Sequence, residues 1–191
     1  MLASLKEDFI YTDEGEADGN LEVEIKVIDN KLTLNQPQLI KRTIEILGSM
    51  EANPRSVPVA KLLLGKNTDG KDRDGDSFQY RSATCLLQCL DECTRTDTST
   101  TVHQAAMFSK NAKSCHDAAV KRIGKFLLST SDEGLTCELN IDKGLEVFVD
   151  ADFAGVFNIS NAEDPASACS RTRCVIKYGE CPIIWKSKLQ T

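Results

Sequence analysis

The chain has 191 residues, of which 41% are hydrophobic and 27% charged, with a formal net charge of −6. This is the make-up of a soluble globular protein in one large or two small domains, and the acidic balance speaks against a protein that coats nucleic acid through a general basic excess. The longest apolar runs are too short to cross a bilayer. The opening MLASLKEDFIYTDEGE lacks the apolar core and cleavage site of a signal peptide, which points to an intracellular protein of undetermined compartment.

The first segment, residues 1–20, is acidic. From Leu21 to Val27 apolar and polar residues alternate strictly, and Lys31 to Leu34 alternate again after Asp29-Asn30. That pattern predicts a β-hairpin with one buried face. Gln36-Pro37 opens a helix, because proline at the first helical position gives up an N–H that had no partner. Leu39, Ile40, Ile44 and Leu47 recur at helical spacing, and Gly48 ends the helix. Pro54, Pro58 and the run TDGKDRDGDS mark a loop region. The run lacks the spaced oxygens and closing glutamate of a calcium loop, and it is expected to be a solvated linker.

Residues 80–93 predict a helix with Ala83, Leu86, Leu87 and Leu90 on its apolar face. Asp97 is the expected cap of a second helix from Thr98 to Ser109, and Ser114 that of a third, with Ala119, Ile123, Phe126 and Leu127 facing inward. The third helix also carries Lys113, Lys121, Arg122 and Lys125. These cations are candidates for a phosphate backbone, or form a solvated helix face with Asp117 in its middle.

Cys85, Cys89 and Cys93 recur every four residues, and five further cysteines are scattered without a CxxC pair. Zinc needs ligands that converge on one point, whereas residues i and i+8 of a helix stand about 12 Å apart. Reduced, mostly buried thiols are the expectation. His103 and His116 are isolated and add no metal site.

Beyond Gly134 the pattern returns to strands, Leu135–Leu139 and then GLEVFVDADFAG, residues 144–155. Leu145, Val147 and Val149 alternate with Glu146, Phe148 and Asp150. Asp150 is thereby a carboxylate at a strand end, placed either to hold a divalent metal or simply to close the strand in solvent. A polar excursion (158–168) leads to a final hairpin, Arg173–Tyr178 and Pro182–Lys186, turning at Gly179-Glu180.

Several of these segments in this order resemble the Pol polyprotein of copia-type LTR retrotransposons, from about Tyr11 to Thr191. LEVEI with NKLTLNQPQLIKRTIEILG resembles the end of the reverse-transcriptase palm and its following helix. SFQYRSATCLLQCLDECTRTD and VHQAAMFSKNAKSCHDAAVKRIGKFLLST resemble the segments leading toward RNase H. VDADFAG and SRTRCVIKYGECPIIWKSKLQT resemble the first three strands of RNase H.

The resemblance implies an α+β chain. A β-hairpin and helical thumb/connection remnant (21–130) would be followed by an incomplete, RNase H-like three-stranded sheet (135–191), marginally stable alone, with an open apolar face and an unpaired edge. It implies an RNA–DNA hybrid as partner, Mg²⁺ as the ancestral enzyme's cofactor with none expected to be bound here, and Asp150 as a vestigial metal-binding carboxylate. Asp152, beyond the strand, is expected to point elsewhere. The polymerase's paired aspartates would precede Met1 and the later RNase H carboxylates would follow Thr191, so neither catalytic centre is expected to be complete.

The chain departs from the family pattern at Glu22 and Cys85, where the family has glycine. Thr96 stands in place of a proline, and Arg173-Cys174 in place of glycine and an aromatic. Such positions serve backbone needs, and their loss suggests a decayed element. The alternatives are a non-catalytic nucleic-acid-binding module built on Lys113, Lys121, Arg122 and Lys125, a protein-interaction module, or an open reading frame without function.

Overall fold

A computed structural model describes residues 19–20, 22–29, 31–59, 64–65, 70–73, 75, 78–153, 157 and 168–190. The acidic opening up to residue 18, part of the TDGKDRDGDS run and the excursion over 158–167 lie outside the described residues.

The fold is mixed α+β. Strands β1 (Gly19–Asn20), β2 (Val23–Ile28) and β3 (Lys31–Asn35) lead into helix α1 (Pro37–Ile46). Helices α2 (Tyr80–Cys93), α3 (Ser99–Ala106) and α4 (Ser114–Ser129) follow, with a 3₁₀ turn over Thr96–Thr98. Strand β4 (Leu135–Glu138) precedes β5 (Leu145–Ala151), β6 (Arg171–Tyr178) and β7 (Cys181–Leu189). The strands form two antiparallel sheets, ordered β1-β2-β3-β4 and β5-β6-β7.

The alternation becomes a hairpin whose first arm is β2 from Val23, and just before it Glu22, at a positive φ of 63°, turns the chain. The register Ile25↔Leu34 and Val27↔Leu32 puts the apolar residues of both arms on one face. Strand β4 joins this sheet through Leu34↔Leu135 and Leu32↔Cys137, not the later one. Gly134 permits that pairing: a β-carbon there would stand 2.2 Å from the Leu34 carbonyl oxygen.

The main core cluster is built chiefly by the helices. Leu39, Ile40, Ile44 and Leu47 meet Tyr80, Ala83, Leu87 and Leu90, closed by Val102 and Ala105 of α3 and Val120, Ile123 and Leu127 of α4. Pro37 opens α1 as expected, and Gly48, at φ 58°, terminates it. Gly124 lets α4 approach α1, since a β-carbon would lie 2.8 Å from Leu47 Cδ1.

Several expectations need correction. Cys85, Cys89 and Cys93 are exposed and only Cys181 of the eight cysteines is buried. On a helix, a position two residues from Ala83 and Leu87 lies about 200° from the apolar face, so that the thiol column looks outward. Burial, then the hydrogen bond to the Cys181 thiol, pushes the Cys137 thiol up to about 11. Asp97 caps no helix. It sits inside the 3₁₀ turn and accepts both Arg95 Nε (3.0 Å) and Arg95 Nη2 (2.7 Å). Ser114 is not the cap of α4 either. That position belongs to Lys113, whose backbone N–H donates to His116 Nδ1 at 2.8 Å. Nor is the Asp-rich run a free linker: Arg73 pairs with the buried Asp117, and Asp72 accepts Lys113 Nζ at 2.7 Å.

Candidate functional site

The second sheet has one face turned to the helices and one to solvent. Trp185 in β7 donates its indole N–H to the Asp91 carbonyl of α2 at 2.8 Å, and Arg171 in β6 reaches Met107 Sδ at 3.4 Å. Ser187, on the same face as these two, is buried and accepts Arg171 Nη1 at 3.3 Å. The opposite face carries Leu145 (65% exposed), Val147 (57%), Val149 (68%) and Ile184 (52%). An apolar face is thus open in the described structure, as expected for this sheet.

Asp150 lies on the helix-facing side, near the end of β5 and opposite Arg173 of β6. Arg173 Nη1 donates to Asp150 Oδ2 at 3.0 Å, and Arg173 Nη2 to Asp152 Oδ2 at 3.2 Å. Asp152 therefore does not point elsewhere. Its N–H bonds the Arg171 carbonyl at 3.1 Å, which carries the extended pairing one step past the assigned strand. Residues i and i+2 of an extended strand share a face, about 7 Å apart. The second oxygen of Asp152 accepts the Arg171 backbone N–H at 2.6 Å.

The cation implied by the resemblance can be tested against this donor set. Mg²⁺ wants near-octahedral oxygen ligation and gives up water reluctantly. Here two carboxylates converge on a guanidinium instead, and among the described residues no group of three or more His, Cys, Asp or Glu is placed to hold a metal. The residues present do not fit the ion.

The other predicted cations are not gathered into an open stripe. Lys113 is mostly covered and committed to Asp72, while Arg122 is half-buried with its Nε unpartnered among the described residues. Lys125 is half-buried, and Lys121 is exposed, its Nζ 5.9 Å from the Phe78 ring centroid. Asp117, expected among them on a solvated face, is buried against Arg73. A cleft of about 290 Å³ beside the carboxylates is lined by Arg171, Ser187, His103 and Met107, with Lys186 and Lys188 at its rim on β7. Alternation along β7 turns the two lysine side chains to the opposite face of the sheet from Ser187. Burial, and then the nearby Arg173, lowers the pKa of Arg171. No local pattern in the sequence marks this cleft, because it forms only where β6 and β7 meet the end of α3.

Over an alignment of 192 positions that covers 99% of its length, the chain is 29% identical to the "Retrovirus-related Pol polyprotein from transposon RE1" of Arabidopsis thaliana. It is 31% identical over its full length to the "Retrovirus-related Pol polyprotein from transposon TNT 1-94" of Nicotiana tabacum, and 27% identical to that from transposon RE2 of Arabidopsis thaliana. The chain spans only 12–14% of the length of these relatives. No family model matches the sequence, and no solved structure matches it.

Proposed function

The chain is related over its whole length to a stretch of the retrovirus-related Pol polyproteins of transposons, and from this premise we propose that it corresponds to the copia-type segment running from the end of reverse transcriptase into the start of RNase H. In this reading the helical core is a thumb-and-connection remnant, and β5-β6-β7 is the opening meander of an RNase H-like sheet. The segment contacts an RNA–DNA hybrid without cleaving it. The observation that carries the reading is Asp150, a carboxylate near the end of the first strand of an antiparallel three-stranded meander, within a chain co-linear with Pol relatives.

The supporting chemistry is local. Although the chain is acidic overall, Lys186 and Lys188 share the exposed face of β7, and Lys121 and Lys125 share a face one turn apart on α4. Phosphates pair with such cations irrespective of sequence, and each contact adds close to one unit to the slope of log affinity against log salt.

The reading is tested with the purified chain and a fluorescent RNA–DNA hybrid, by anisotropy across a salt series and by gel assay with Mg²⁺. Binding should weaken with salt, with a slope of about −2 to −4 for two to four phosphate contacts, and the RNA strand should stay intact. Salt-independent binding would remove the nucleic-acid part. Cleavage that disappears on Asp150→Ala would overturn the inactivity.

A further inference from the structure

Three of the four carboxylate oxygens at the end of β5 already accept a hydrogen bond from the chain itself. Asp150 Oδ2 and Asp152 Oδ2 are taken by the two terminal nitrogens of one guanidinium, and Asp152 Oδ1 by the Arg171 N–H. Arg173 is planted by the register, directly opposite Asp150, so its reach to both carboxylates is built into the sheet. Its side chain is about one third exposed, as is that of Asp152, whereas Asp150 is mostly open to water. A guanidinium is permanently charged, and its fork of donors spans two acceptors at fixed separation. This is the charge and geometry that a cation between two carboxylates would otherwise supply.

We propose that Arg173 is a resident counter-ion that takes the place of a divalent cation between Asp150 and Asp152, so that this chain binds neither Mg²⁺ nor Mn²⁺ there. The inference rests on the Pol reading only for the class of ion expected at Asp150. The exclusion itself follows from the guanidinium. A divalent ion approaching Asp150 meets a like charge held on the oxygens it would need, with the Arg171 side chain adding a second positive group two residues along the same face.

The experiment uses the full chain, ¹⁵N-labelled and titrated with MnCl₂, reading paramagnetic broadening of the Asp150 and Asp152 amides. Wild type and Arg173→Lys should show none below millimolar Mn²⁺. Arg173→Gln should broaden both amides at a midpoint at least tenfold lower, and Asp150→Asn added to it should abolish the effect. Broadening in the wild type at the same midpoint as Arg173→Gln would overturn the proposal, as would a folded Arg173→Gln that never broadens. Should Arg173→Gln lose its folded spectrum, the wild-type Arg173 side-chain resonances decide the matter. If they are unmoved by 10 mM MgCl₂ the proposal stands, and if they shift toward free arginine it falls. The hybrid-binding result is independent of every one of these outcomes, so the Pol reading and the counter-ion can fail separately.

Discussion

At residue scale, Glu22 shows what a side chain costs where the backbone favours glycine. Its φ of 63° lies in the left-handed region, where a β-carbon crowds the backbone and costs about 1 kcal/mol or more. The strained position lies in the turn that aligns β1 with β2 through Asn20↔Val23. Glu22→Gly should raise stability by about 1 kcal/mol, less the entropy glycine gains in the unfolded chain. A urea midpoint that does not rise would show that the turn relaxes around glutamate. The same scale explains what could be read of the candidate site. Asp150 was legible because alternation and a carboxylate at a strand end are local patterns. Asp152 and Arg173 were not: the first needed the pairing to continue past Ala151, and the second a partner 23 residues away.

At the scale of elements, the helices were legible because their apolar faces are periodic, and the structure buries Leu39, Ile40, Ala83, Leu87, Ile123 and Leu127 as the spacing requires. What the spacing could not show is how the elements are tied. Arg95, fully buried, is the clearest such tie. Its guanidinium holds Asp97 by two nitrogens, donates to the Thr130 carbonyl (2.9 Å) and hydroxyl (2.7 Å), and lies 5.3 Å from the Phe126 ring centroid. The TRTD segment that helped identify the family is therefore a clip joining the end of α2 to the end of α4. Arg95→Ala strips these acceptors at once and leaves a cavity. It should cost about 3–5 kcal/mol, read as a lower guanidinium-chloride midpoint. Arg95→Lys should recover only part, because an ammonium cannot span Asp97 and Thr130 together. A loss below 1 kcal/mol for the alanine variant would mean the clip is dispensable. The thiol column of α2 follows the same logic: register against Ala83 and Leu87, not cysteine's general preference for burial, sets its exposure.

At the scale of the whole molecule, the two halves differ in what holds them. Among the described residues the main apolar cluster is built by the four helices and Leu47 at the end of α1, while the second sheet contributes an open apolar face and docks through a few polar and mixed contacts. The chief of these are the Trp185 indole on the Asp91 carbonyl and Arg171 on Met107. At about 1 kcal/mol each, such bonds leave the sheet with little of the stability that burial gives the helices. The sheet should therefore come away first. Trp185 is the chain's only tryptophan, so its emission reports that event without labelling, and far-UV dichroism at 222 nm reports the helices. In a urea titration the Trp185 red shift should precede the loss of helical signal, with the two midpoints separated. Amides of 145–151 should likewise exchange faster than those of 119–127. Superimposed transitions would show that the docking contacts couple the sheet to the helical core as one cooperative unit, with more strength than their number and polarity supply.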